Sequence, residues 1–64
     1  MIVNGSSATL DGSSTISEWL SSHGYDPSRS AVLLNGAVVP RNKMGSVALS
    51  EGDEMEIVSF VGGG

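Results

Sequence analysis

Chemistry in this chain has few places to reside. The sequence ends in Gly62, Gly63 and Gly64, and three consecutive residues without side chains give a stem with wide conformational freedom. Such a stem extends roughly 10 Å from a folded body and can thread a channel too narrow for any other residue. At its end sits a carboxylate, a poor acyl donor until ATP converts it to a mixed anhydride with AMP. A persulfide or an amine can then displace AMP. The plain alternative is a frayed glycine end, and the glycines alone do not decide between the two.

Conventional catalysis is hard to assemble from the remaining residues. His23 is the only histidine, and its expected place at the end of a helix suits a contact with the last carbonyls. One histidine there supports no nucleophilic triad. Asp53, Glu54 and Glu56 could pair as carboxylates, but Glu54 and Glu56 alternate with Met55 and Ile57. They read as a solvated strand face and not as a metal cleft. The glycine run is not a phosphate loop, which needs a helix N-terminus following it. Cysteine is absent, which excludes disulfides and thiolate metal sites.

The elements that would position the tail follow from short-range signals. Met1, Ile2 and Val3 lead into Asn4-Gly5, a strong hairpin signal, and residues 6–10 can pair back with Ala8 and Leu10 on one face. Thr15-Ile16-Ser17-Glu18 has the spacing of a capping box. Ile16, Trp19, Leu20 and His23 then recur on one helical face, and Gly24 suits the closing left-handed position. One helix over residues 15–23 is expected, too short to stand alone and so packed on a sheet through Trp19. Ala31, Val32, Leu33 and Leu34 form an all-apolar strand near the middle of that sheet. Asn35-Gly36 returns it through Ala37, Val38 and Val39 to Pro40, a short edge strand. Residues 41–50 are irregular, with Met44, Val47 and Leu49 turned inward.

Residues 55–61 form the last strand. If Met55 and Ile57 pack beneath the helix, Val58 and Phe60 are left on the open face, and with Val61 they make a patch suited to a protein partner. The order of elements gives an α+β domain over residues 1–61, a mixed sheet of four to five strands with one helix on one face, and a flexible tail over 62–64.

With 64 residues the chain supports one small domain, burying about 60% of its unfolded surface. Seven acidic and three basic residues give a net charge of −4, which disfavours nucleic acid. Glu51, Asp53, Glu54 and Glu56 crowd the segment before the tail, so an acidic collar around the terminus, steering it to an electropositive partner, is expected; a merely solvated strand face is equally consistent. No signal peptide and no run of about 20 apolar residues is read, which points to the cytoplasm and away from membranes.

Four stretches together carry a wider resemblance. They are Met1-Ile2-Val3-Asn4-Gly5, Thr15-Ile16-Ser17-Glu18-Trp19-Leu20, Leu34-Asn35-Gly36-Ala37-Val38-Val39-Pro40-Arg41, and Glu51-Gly52-Asp53-Glu54-Met55-Glu56-Ile57-Val58-Ser59-Phe60-Val61-Gly62-Gly63-Gly64. The chain resembles the sulfur carrier proteins of thiamin biosynthesis, in the β-grasp, ubiquitin-like group. That resemblance implies a β-grasp fold and no catalytic site of its own. It implies that the Gly64 carboxylate is adenylated by a ubiquitin-activating-type adenylyltransferase using ATP, then converted to a thiocarboxylate. Gly63 completes the functional pair and Gly62 is a spacer. A donor such as a cysteine desulfurase would supply sulfur, and thiazole synthase would receive it. Kindred alternatives are the small subunit of molybdopterin synthase and a ubiquitin-like modifier joined to lysines; a plain interaction module with an inert tail is the third.

Overall fold

The computed structural model describes residues 1–60; Val61, Gly62, Gly63 and Gly64 lie outside the described residues. Strands β1 (Ile2–Val3) and β2 (Ser6–Ser7) form a hairpin, followed by helix α1 (Ile16–Ser22). Strands β3 (Ser30–Leu34) and β4 (Ala37–Val39) form a second hairpin, and β5 (Glu54–Ser59) completes a five-stranded sheet. Its order is β2-β1-β5-β3-β4, so the last strand in sequence is the central one. β5 pairs parallel with β1 and antiparallel with β3, making the sheet mixed.

Both hairpins turn at Asn-Gly. Asn4 and Asn35 sit at φ of 51° and 52°, and the glycines after them at 81° and 84°, the paired left-handed geometry of tight turns that match strand twist. The first hairpin is shorter than the expected strand over residues 6–10, for β2 ends at Ser7. Ala8 still donates its amide to the Met1 carbonyl, and both Ala8 and Leu10 pack against the core. The last strand likewise ends at Ser59, short of the expected 61.

α1 begins as its sequence requires. The Thr15 hydroxyl accepts from the Glu18 amide, and the Glu18 carboxylate accepts from the Thr15 amide, each at 3.3 Å. The Glu18 carboxylate also accepts from Ser14 at 2.7 Å. Ile16, Trp19 and Leu20 face inward and are buried against Val3, Val32, Val39, Met55 and Ile57 of the sheet, with Met44 and Leu49 closing the side. Trp19 also donates its indole N–H to the Thr9 carbonyl at 2.8 Å, which satisfies a polar atom that burial would otherwise strand. One helix packed across a mixed five-stranded sheet is the β-grasp arrangement.

Candidate functional site

The site is built around the end of β5. Burial along this strand alternates: Met55 and Ile57 are 0% and 7% exposed beneath α1, while Val58 and, just past the strand, Phe60 are 53% and 50% exposed on the other face. Val58 and Phe60 are therefore exposed together on the open face; Val61 and the three glycines, the remaining expected site residues, lie outside the described residues. Phe60 does not fold into the core.

Sequence reasoning missed that neighbouring strands extend this patch. Ala31 lies opposite Val58, and Leu33 lies opposite Glu56 on one side and Val38 on the other. Val38 is 72% exposed. The run Ala31-Val32-Leu33-Leu34 was expected as a strand near the middle of the sheet and lies there, between β5 and β4, but no second layer covers the sheet among the described residues. Its odd positions join Val38, Val58 and Phe60. The available signal was Val38, which alternates with the buried Val39.

β5 is held in register by side chains as well as by its ladder. β1 stops pairing with β5 at Val3, and the Asn4 carboxamide oxygen then accepts from the Ile57 amide at 2.7 Å. On the opposite side, Asn35 accepts from the Glu54 amide at 2.9 Å and donates to Asp53 at 3.0 Å. The same turn residues that reverse the two hairpins thus fasten the central strand. Asp53 also accepts from the Ser50 amide at 2.9 Å. Donation by Asn35 and then by Ser50 holds the Asp53 carboxyl below the usual carboxylate range.

At the other end, Ser30 pairs with Ser59, and the Phe60 amide donates to the Arg29 carbonyl at 2.8 Å. The buried Ser30 hydroxyl donates to the Asp26 carbonyl at 2.8 Å, which fixes the start of β3. The Asp26 carboxylate accepts from the Ser28 hydroxyl and amide at 2.7 and 2.9 Å. These two bonds, with smaller contributions from Arg29 and Arg41, keep it below its ordinary range.

Of the four residues of the expected acidic collar, Glu56 lies within β5 opposite Leu33, exposed on the face that carries Val58. Glu51, Asp53 and Glu54 lie at the start of β5, and Ser59 is five residues further, about 17 Å along an extended strand. The residue beside the end of the strand is Arg29.

His23 takes a structural part that goes beyond the expected helix-end contact. Its Nδ1 lies 2.8 Å from the Trp19 carbonyl oxygen, and its Nε2 lies 2.9 Å from the Asp11 carboxylate. The ring stacks on Trp19 at 3.8 Å between centroids. The cluster ties the loop before α1 to the helix's last turn. Asp53, Glu54 and Glu56 do not converge on a shared point; among the described residues no group of three acidic or histidine side chains could hold a metal ion. No helix among them is long and apolar enough to cross a membrane.

A model of the ThiS family matches residues 1–64. The chain belongs to the ThiS family. A crystal structure of the thiamine biosynthesis protein ThiS from Geobacter metallireducens superposes with a TM-score of 0.79 at 33% identity, covering 98% of this chain and 96% of that one. The solution structure of a thiamine biosynthesis protein from the same organism gives 0.76 at 33% identity, over 98% and 85% of the two chains. Two curated relatives are thiazole synthases: one from Paramagnetospirillum magneticum, 36% identical over 64 residues, and one from Magnetococcus marinus, 39% identical over 62. They take in 100% and 97% of this chain but only 20% and 19% of their own lengths. The chain therefore spans about a fifth of the length of these thiazole synthase relatives.

Proposed function

We propose that this chain is a sulfur carrier of thiamin biosynthesis that works through the carboxylate of Gly64. The observation that supports it best is β5. The central strand is locked by core packing on one face and by Asn4 and Asn35 at its sides, carries Val58 and Phe60 on the open face, and leads directly to Val61, Gly62, Gly63 and Gly64. A rigid handle with an apolar docking face suits a chain whose end must be presented to another protein's active site.

In this reading the Gly64 carboxylate attacks the α-phosphorus of ATP on a ubiquitin-activating-type adenylyltransferase and pyrophosphate leaves. A persulfide sulfur, supplied by a donor such as a cysteine desulfurase, then displaces AMP from the acyl adenylate. A second thiol then attacks the donor cysteine's sulfur in the resulting acyl disulfide, forming a new disulfide with that cysteine and releasing the thiocarboxylate, which delivers its sulfur to a thiazole synthase. Gly63 and Gly62 act as a thin stem through the enzyme's channel. The chain is then a cosubstrate, with no cofactor of its own and ATP bound by its partner, and it works in the cytoplasm. The thiazole synthase relatives support that partner, since a segment like this chain occurs within each of them.

The test is intact mass after incubation with ATP, the adenylyltransferase and a sulfur source. The expected result is the gain from replacing one oxygen by sulfur, abolished when Gly64 is deleted. Conjugates joined through lysine side chains would instead establish a protein modifier, and an unchanged mass would overturn the carrier.

A further inference from the structure

The part of the open face shared by β5, β3 and β4 is apolar apart from the glutamates of β5. Val38, Leu33 and Glu56 form one row across the three strands, and Ala31 and Val58 form the next row toward Phe60. Glu56 is thus exposed in the middle of β5, bordered by Leu33 across the ladder and by Val58 along the strand. Nothing in the fold neutralises it, for the one ion pair among the described residues joins His23 to Asp11. The three basic side chains, Arg29, Arg41 and Lys43, belong to the short 3-10 turns Pro27–Arg29 and Arg41–Lys43. None stands on a strand.

A partner that covers this face takes Glu56 out of water together with its apolar neighbours. A wholly apolar seat would strip hydration from the carboxylate and return nothing, which is costly for a charge. A second copy of the chain laid face to face does no better, since its strands offer further glutamates and no cation. An adenylyltransferase meets the requirement, because a site that accepts ATP beside a terminal carboxylate gathers two anions and needs cationic surroundings. We propose that Glu56 is a docking residue whose carboxylate meets a guanidinium of the adenylyltransferase, set within the apolar seat for Leu33, Val38, Val58 and Phe60. This rests on the carrier reading. A guanidinium is favoured over an ammonium because it forks onto both carboxylate oxygens and gives up its water more readily. Apolar contacts alone let a carrier turn on its seat, whereas one charge pair inside them fixes the register.

The experiment measures binding of wild type, E56Q, E56L and E51Q to the adenylyltransferase by titration calorimetry. E56Q should weaken binding about tenfold or more, while E51Q, which removes the same charge from a turn outside the sheet, should stay within about twofold. E56L separates a charged seat from an apolar one. It enlarges the apolar face, so an apolar seat would bind it more tightly; a guanidinium left unpaired makes it bind at least as weakly as E56Q. Asn4 and Asn35 hold β5 through the amides of Ile57 and Glu54, so circular dichroism should find these variants folded. If E56L self-associates, E56T takes its place, with the same direction expected. Unchanged or tighter binding of the neutral variants at position 56 would overturn the proposal, and so would equal losses in E51Q and E56Q. Self-association of the wild type, seen by sedimentation and removed by V58D, would also overturn it, because the face would then serve a second copy. Mass gain is read separately, and E56Q should reach the wild-type gain at saturating enzyme, since Glu56 lies within the folded strand and not at the reacting carboxylate. A wild-type gain with binding independent of Glu56 overturns the docking role alone. Binding with no gain overturns the carrier reading and this proposal with it.

Discussion

Ile57 and Val58 are adjacent β-branched residues on one strand, and they belong to different parts of the protein. Ile57 is closed over by α1, while Val58 faces out across the bare side of the sheet. Hydrophobicity does not distinguish them; only their phase relative to the helix does. A small domain must devote its buried apolar surface to stability, so the apolar residues on the open face are the ones that folding does not need. Comparing the two faces of β5 separates what holds the fold from what the fold presents.

The largest effect should come from the covered face. Met55→Ala, at a fully buried position, removes packing worth about 2–5 kcal/mol, comparable to the whole stability expected of a core this size, about 3–5 kcal/mol. Urea titration followed by circular dichroism should find it largely unfolded or barely folded. Val58→Ala, three residues on, should stay within about 0.5 kcal/mol of wild type. Equal losses at both positions would remove the distinction between the faces.

On the open face, charge is the sharper probe. Phe60→Asp and Val58→Asp should keep the native circular-dichroism spectrum and weaken adenylyltransferase binding by about tenfold or more, as expected for central apolar contacts. Unfolding of Phe60→Asp would place that ring in the core after all.

A smaller effect tests the fastening of β5. Asn35→Gly keeps the left-handed turn and deletes the bonds to Asp53 and Glu54, at a cost of about 1 kcal/mol. Asn35→Ala should cost about 1–2 kcal/mol more, because alanine resists φ of 52°. Thermal melts of the two variants separate tether from turn.

Much of this was legible because it is local. The capping box, the Asn-Gly turns and the helical face are each complete within a few residues, and the structure reproduces them. The phase of residues 55–60 could also be read, since alternation needs no partner. The rest depended on pairing between distant segments. That β5 is central and parallel to β1 is written in no short window. Neither is the contact of Asp11 with His23, twelve positions away. That Ala31 and Leu33 extend the open-face patch was not legible either, because a continuous apolar run looks the same whether its second face meets a helix or stays open.

The smallest expected effect concerns pH and the acidic end of β5. Asp53 is held below its ordinary range chiefly by Asn35 and then by Ser50, and Asp11 is likewise lowered, chiefly by the Thr9 hydroxyl and then by His23. A carboxyl whose folded pKa is depressed contributes stability above its unfolded value, near 3.9 for aspartate. That contribution is lost as pH falls through the folded value. Melting temperature should therefore decline below about pH 4, and Asp53→Asn should shallow that decline while costing under about 1 kcal/mol at neutral pH, since solvent screens the site. Docking should be untouched, because Asp53 lies a strand's length from Phe60. A loss of partner binding in Asp53→Asn as large as in Val58→Asp would mean that the acidic end also meets the partner, and the docking surface would then cover the full length of β5.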